Sequence, residues 1–465
     1  MVNDHSLPEI REWLKETAHP AVRLRLANYG SISEGGKEFQ ITLFDRKIAV
    51  CSNSISLNKL LLSLKTGVSW CEVMNLLPEE QEMQFLRLID CLMNYGALYF
   101  DLLSEDRCVL TFMPQSPKWR PSCGDQNKKI GLRLSRLVRL ENCKGQWRLL
   151  CPLAAVVIQL HDAEFRKWLV DEPEAFNAKS HEQPSILISW LMGNGVFHTE
   201  SDETSSLAMW DVEDMMFHVH SRAGRLFVER GQRSAPIPGT SPGQARRSAW
   251  EGAKLSLPTV KSPLITLPDA LVRRRSHPQS GSRTTITLSQ LAGILKMSMM
   301  VCSTGVGAFE MEVSKRPYPS AGGCHPLEVY LAVYSCVDLV SGFWHYDSYC
   351  NQLTWVSPLS SPVKAIITSA MTSMQENSPS DITVVISARF NRSFFKYQGI
   401  GYANILREVG ALYQSLHLSA VAFGCSACPI GVGNVEYFSQ ATGLDPFEEG
   451  SVGEFCINGY SSLDQ

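Results

Sequence analysis

The chain reads as an α+β protein, and three observations carry that expectation. Alternation through Leu327, Val329, Leu331 and Val333 has the period of a core strand, and Ile382 to Phe390 reads as a second strand. The stretch GYANILREVGALYQSLHLSAVAFG has helical periodicity and predicts a long helix over about Asn404 to Phe423. Upstream, the order strand, helices, short terminal strand occurs twice.

At 465 residues the chain exceeds one ordinary core, so two or three domains are expected. An apolar content of 44% with 19% charged residues describes a globular protein, and a net charge of −3 gives no reason to expect nucleic acid as a partner. The start, MVNDHSLPEIREWLKETAHP, has no apolar core of a secretory signal. No run approaches the roughly 18 apolar residues a membrane span requires, so no membrane association is expected. Fourteen cysteines spread from Cys51 to Cys456 without clustering fit reduced thiols and a cytoplasmic location.

Residues 1–115 form the first expected domain. EFQITLFDRKIAV alternates like a strand, and LNKLLLSLKTG is leucine-rich. Ser69 opens a capping box in which Glu72 reaches back to the Ser69 amide. The run QEMQFLRLIDCLMNYG puts Phe85, Leu88, Ile89, Leu92 and Met93 on one helix face and stops at Gly96, before a strand from Ala97 to Phe100. Strand, helices and a terminal β wing make a winged-helix pattern. The candidate recognition helix, from Trp70 to Leu77, carries no Lys or Arg, which argues against DNA and leaves a peptide-binding or a structural role.

Residues 116–227 read as a second, degenerate winged helix behind a Pro, Ser and Lys-rich loop at residues 114 to 130. Here Trp147 to Leu150 is expected as a strand, Leu153 to Leu160 as an apolar helix, and Ser185 to Leu191 as a helix ended by Gly193-Asn194-Gly195. An amphipathic helix then ends at His218 and His220, whose i, i+2 spacing points them apart and favours structural histidines over a metal pair. Residues 228–265, rich in Gly, Pro, Ser and Arg, read as a linker, and residues 266–465 as the catalytic domain. That domain opens on Arg273-Arg274-Arg275-Ser276 and a capping box from Thr287 to Gln290.

Two blocks carry the chemistry. In KRPYPSAGGCHPLEVY, Gly322 and Gly323 permit positive φ and a close backbone approach before the strand. Lys396-Tyr397 then stands just ahead of the long helix. Together these blocks resemble the nitroreductase-like flavoproteins, and more narrowly the SagB-type azoline dehydrogenases. The tandem winged-helix layout upstream is similar to that of cyanobactin-type thiazoline oxidases. An FHxxSRxG element at Phe217 to Gly224 is also similar to one that precedes the flavin domain in the family.

The resemblance implies a nitroreductase-like FMN domain, a homodimer, and oxidation of thiazoline or oxazoline rings in a peptide to thiazoles or oxazoles, with O2 as electron acceptor. Arg274, Arg275 and Ser276 match the family's phosphate-binding signature, and an arginine fork suits phosphate oxygens. Pro278 stands where family members usually have a further basic residue, for which Arg283 could substitute. Ser461-Ser462 likewise follows Gly459-Tyr460 in place of the familiar basic residue. Ser320, Gly322 and Gly323 are expected at the ring or ribityl chain, with Arg316 as a further anchor. Ile430 and Gly431, in FGCSACPIGVG, match a loop whose amides face the flavin's polar edge. Cys425 and Cys428 lack the other half of a zinc site and read as incidental thiols.

Azoline oxidation removes a proton and a hydride from adjacent carbons. The protein must therefore supply a base, and a lysine serves only where desolvation or a nearby cation lowers its pKa. Lys396 is expected as that base and Tyr397 as a polarising or relaying hydroxyl. A general NAD(P)H-dependent nitro or quinone reductase needs no such pair. A catalytically silent subunit presenting peptide to a cyclodehydratase partner is the third reading.

Overall fold

The computed structural model describes residues 7–16, 19–28, 30–35, 38–43, 46–51, 54–116, 119–120, 122–123, 133–171, 185–198, 205–222, 239–276, 282–397 and 399–461. Much of the expected loop at 114–130, the first part of the expected linker, Gly224, Pro278 and Ser462 lie outside the described residues. Two compact units emerge, residues 1–231 and 232–465, and both mix helices with strands, as an α+β chain should.

In the N-terminal unit a seven-stranded antiparallel sheet runs in the order Val68–Ser69, Val22–Leu26, Leu98–Ser104, Arg107–Pro114, Val156–Leu160, Gln146–Cys151, Arg139–Cys143. Thr111 pairs with Gln159 and Phe112 with Ile158, so the sheet is continuous across position 115, where two domains were expected to meet. One apolar core, with Phe85, Phe100, Phe112, Ile158 and Trp190 buried in it, likewise draws on both halves.

The capping box forms as expected: Glu72 N–H donates to Ser69 Oγ at 3.1 Å, and the Ser69 amide donates to Glu72 Oε2 at 2.8 Å. Gly96 ends the helix Glu79–Asn94 with a positive φ of 64°. The expected helix from Leu153 to Leu160 does not form. Val156–Leu160 is a strand, joined to Gln146–Cys151 by a turn with Ala155 at φ 53°. Its β-branched Val156, Val157 and Ile158 suit a pleated, half-buried surface better than a helix. The helix Val212–His220 forms, and its His220 ring meets the Met216 carbonyl at 2.7 Å, the i−4 position.

In the C-terminal unit an antiparallel sheet runs Lys254–Ser256, Gln352–Ser357, Gly342–Asp347, Leu327–Val333, Ile382–Arg389, Glu449–Ser461, Ser282–Thr284, with Cys425–Ile430 also paired to Glu449–Ser461. Every residue of Leu327–Val333 is buried, because both sheet faces are covered. Leu327, Val329, Leu331 and Val333 join the core under the helices Leu288–Met299 and Gly401–Ala422. Tyr330 and Ala332 face the opposite core, with Val363, Ile366 and Ile367 of the helix Ser361–Ser373.

Part of the expected linker belongs to this sheet, since Lys254–Ser256 is its edge strand. Arg246 and Arg247 hold that approach by ion pairs to Asp347 at 2.6 Å and Glu449 at 3.0 Å. The Thr287–Gln290 capping box also forms, and Gln290 Nε2 donates on to the Phe423 carbonyl at 3.0 Å. That bond ties the start of one helix to the end of the long one.

Candidate functional site

The strands Leu327–Val333 and Ile382–Arg389 pair in register, with Leu327 opposite Ala388. The chain entering the first strand and the chain leaving the second therefore meet at one end of the sheet. The entering chain is Pro319 to Gly323, a single 3-10 turn in which Gly322 and Gly323 have φ of 60° and 69°. The leaving chain is the short helix Phe390–Phe394, followed at once by Lys396 and Tyr397, whose amides donate to the Ser393 carbonyl.

The two arms meet at Gly322. A methyl group there would collide with Lys396 Nζ and stand 2.6 Å from Tyr397 Oη, so the missing side chain is what lets both reactive groups rest on the turn. Lys396 Nζ lies 5.2 Å from the centre of the Tyr397 ring, and both residues are half-buried.

Four residues brace this meeting point. Ser320 Oγ donates to Glu408 Oε2 of the long helix at 2.6 Å and accepts the His325 amide at 2.9 Å. Arg392 is buried and spends its guanidinium on backbone carbonyls: Cys324 at 2.7 Å, Glu312 at 2.7 Å and Gly243 at 3.2 Å. Burial pushes the Glu408 carboxyl up to about 8 against the opposing pull of Ser320, Arg316 and Arg392. Burial, Arg316 and Arg392 push the His325 imidazole down to about 3.

Arg316 itself is buried, with its Nε toward Ser314 Oγ and an Nη toward the Leu327 carbonyl, both at 3.4 Å. Its guanidinium thus points into the unit, under the turn. Glu408, His325 and Arg392 were missed in the sequence. Glu408 could have been found, because it falls on the apolar stripe Ile405, Val409, Leu412, Leu416 of an otherwise ordinary amphipathic helix.

A second group forms elsewhere on the unit. Arg274 caps the helix Leu267–Arg273, and Arg275 donates to the Val272 and Arg274 carbonyls at 2.7 and 2.8 Å. The Arg275 carbonyl meets His417 Nε2 of the long helix at 3.1 Å. Ser276 lines a cavity of about 240 Å³ with Arg283, Cys428, Asn458 and Tyr460 among its walls. Arg283 is already engaged, with Ser378 Oγ at 3.0 Å, the Pro379 carbonyl and Asp381 at 3.3 Å. Ile430 ends the strand Cys425–Ile430, its carbonyl accepting from Tyr413 Oη at 3.4 Å, and Gly431 follows with open space where a side chain would be. Cys428 stands opposite Cys456 on the neighbouring strand. Among the described residues no cluster of His, Cys, Asp and Glu is suited to a metal ion.

The structure therefore joins Ser320, Gly322, Gly323, Lys396 and Tyr397 in one place, with Arg316 beneath them. Arg275 meets the long helix at His417 instead, with Arg274 and Ser276 beside it in sequence, and Ile430 meets that helix at Tyr413. Glu408 faces the turn, whereas Tyr413 and His417 lie about 140° and 180° further round the helix, at 100° per residue. One chain's two groups stand on different sides of its long helix.

Comparison with known proteins fits this domain. The model of the nitroreductase family matches residues 271–460, so a nitroreductase-like domain lies at the C-terminus. A protein of Methanocaldococcus jannaschii, MJ1384, provisionally named a nitroreductase, is 26% identical over 178 residues, covering 38% of this chain and 83% of its own length. Among solved structures, a provisionally named nitroreductase from Anabaena variabilis is 19% identical with a TM-score of 0.37, over 52% of this chain and 45% of that one. A chain of the E. coli microcin synthetase McbBCD complex with truncated pro-MccB17 bound is 20% identical with a TM-score of 0.34, over 57% of this chain and all of that one. Among the described residues no helix is long and apolar enough to cross a membrane.

Proposed function

We propose that this chain is an FMN-dependent oxidase that dehydrogenates thiazoline or oxazoline rings in a ribosomally made peptide, and that it works as a homodimer. The convergence of Lys396 and Tyr397 on the bare Cα of Gly322 carries the reading. A reductase fed by NAD(P)H has no use for a base fixed at a backbone turn, whereas ring dehydrogenation requires one.

The residues present fit the cofactor. The half-buried Arg274 side chain has no hydrogen-bond partner among the described residues, and Arg275 is exposed, so both can take phosphate oxygens with Ser276 beside them. The open space at Gly431 admits a flat ring against backbone, with the Ile430 and Gly431 amides as donors to its polar edge. Ser320, Gly322 and Gly323 supply the facing backbone, and Arg316 adds positive charge below it.

Bound FMN would supply the hydride acceptor. Lys396 Nζ removes the ring proton, and Tyr397 Oη polarises the ring nitrogen as that proton leaves. Arg392 holds the turn by its carbonyls, so the amine and the phenol are presented without reorganisation. Because the two groups face different sides of the long helix, a cofactor reaching both takes one group from each subunit of a dimer. The N-terminal unit, with its exposed edge strand Arg139–Cys143, would engage the peptide, and a cyclodehydratase partner would supply the azoline. A reducing cytoplasm suits the many thiols.

The test is to load the protein with FMN, add a thiazoline peptide under air, and follow the peptide by mass spectrometry. The reading expects the loss of two hydrogens per ring. Unchanged peptide, together with rapid bleaching of the flavin by NADPH, would transfer the chain to the nitro and quinone reductases.

A further inference from the structure

Three buried polar atoms around the Pro319–Gly323 turn lack a hydrogen-bond partner: Glu408 Oε1, His325 Nδ1 and Tyr318 Oη. An unpaired buried polar atom is costly, so an unexplained cluster of them calls for a physical reason. Two of these atoms face each other, Glu408 Oε1 and His325 Nδ1 at 3.6 Å. Both side chains are almost wholly buried.

The distribution of protons follows from the donors around them. Ser320 Oγ already accepts the His325 amide, so its own hydrogen goes to Glu408 Oε2. The Ser314 backbone carbonyl interacts with the His325 ring, and Nδ1 has no partner among the described residues. With neither group charged, a proton on Glu408 Oε1 directed at Nδ1 satisfies both orphans. Burial disfavours charge on both groups, and a small approach across their 3.6 Å separation would close a hydrogen bond between them.

We propose that Glu408, as a protonated acid shared with His325 Nδ1, is a positioning residue that locks the Ser320–Gly323 turn to the long helix and thereby seats Lys396 and Tyr397. Burial outweighs the groups packed on Glu408 that favour its charged form. Arg316 and Arg392 face it as cations, each already spent on backbone or hydroxyl oxygens. Tyr318 and Cys324 face it as groups that a buried carboxylate would repel on ionisation. Burial raising Glu408 to about 8 is consistent with the proton being held at neutral pH. The role given to the seated pair rests on the proposed ring oxidation, but the proton itself does not.

The test needs neither substrate nor cofactor. Glu408→Gln keeps an acceptor for Ser320 and offers an N–H to His325 Nδ1, so it mimics the protonated acid. Glu408→Ala removes both. In infrared difference spectra of the wild type against Glu408→Gln at pH 6, the proposal expects the carbonyl band of a protonated carboxylic acid, lost as pH rises through about 8.

In urea unfolding, a glutamate ionises in the unfolded chain near pH 4, well below its folded value. Wild-type stability should therefore fall relative to Glu408→Gln between about pH 4 and pH 8, with a slope of one proton, and run level above that. Reductive methylation with carbon-13 formaldehyde then reads the seat directly. The Lys396 signal should match the wild type in Glu408→Gln and shift in Glu408→Ala. A carboxylate band at pH 6, no difference in pH slope, or equal disturbance of Lys396 by both substitutions would overturn the proposal. Failure of ring oxidation alone would leave these results intact and count only against the proposed reaction.

Discussion

The turn group and the arginine group are built in opposite ways. Around Gly322 the side chains are packed and mostly spoken for: Ser320 is bonded on two sides, Arg392 is spent on three carbonyls, and Lys396 and Tyr397 rest against a backbone with no side chain between. Around Arg275 the surface is open: Arg274 and Arg275 bond little beyond their own helix end, and Ser276 lines a cavity. Gly431, further along, also faces empty space. On the proposed reading, such a difference separates a group that performs chemistry, and must be pre-set, from one that waits for a ligand to complete it.

Substitutions should split along that line. The largest effect belongs to Lys396→Ala. Loss of a positioned base costs about 10²- to 10⁴-fold in ring-oxidation rate, with FMN affinity and melting temperature near wild type. Rates from single-turnover mass spectrometry, beside flavin titration, check it. Next comes Gly322→Ala, whose methyl collides with Lys396 Nζ while the backbone stays at φ 60°. Here oxidation should fall about 100-fold. The strained φ should also cost about 1–2 kcal/mol in urea unfolding.

Arg275→Ala should show the converse pattern. The Kd for FMN, read by fluorescence quenching, should rise about 10-fold or more, as for loss of a charge-assisted hydrogen bond. At saturating FMN the oxidation rate should return. The smallest change is expected far from both groups, at Ser69→Ala. Loss of that capping box should destabilise the N-terminal unit by about 1 kcal/mol and leave FMN affinity unchanged. An Arg275→Ala protein that binds FMN normally, or a Lys396→Ala protein that loses it, would erase the distinction.

What the sequence discloses follows the range of the interactions. Both capping boxes are local, four residues each, and both are legible. The strand Leu327–Val333 is legible from alternation, although burial of Tyr330 and Ala332 on its other face depends on the helix Ser361–Ser373. Leu153 to Leu160 is too short an apolar run for periodicity to separate helix from strand, and pairing with Thr111 and Phe112 decides it. At the site, Lys396, Tyr397 and the glycine turn are legible as motifs. Glu408 stands out on its apolar stripe, but its pairing does not, because Ser320 lies 88 positions away and only the fold brings them together. Nor does the sequence disclose that the arginine group faces another side of the long helix.

A crystal structure of the FMN-loaded protein tests the central claim most directly. The account predicts a dimer in which the flavin ring lies beside Gly322 and Lys396 Nζ of one subunit and the phosphate meets Arg274 or Arg275 of the other. A flavin bound within one subunit, with Lys396 far from the ring, would contradict it.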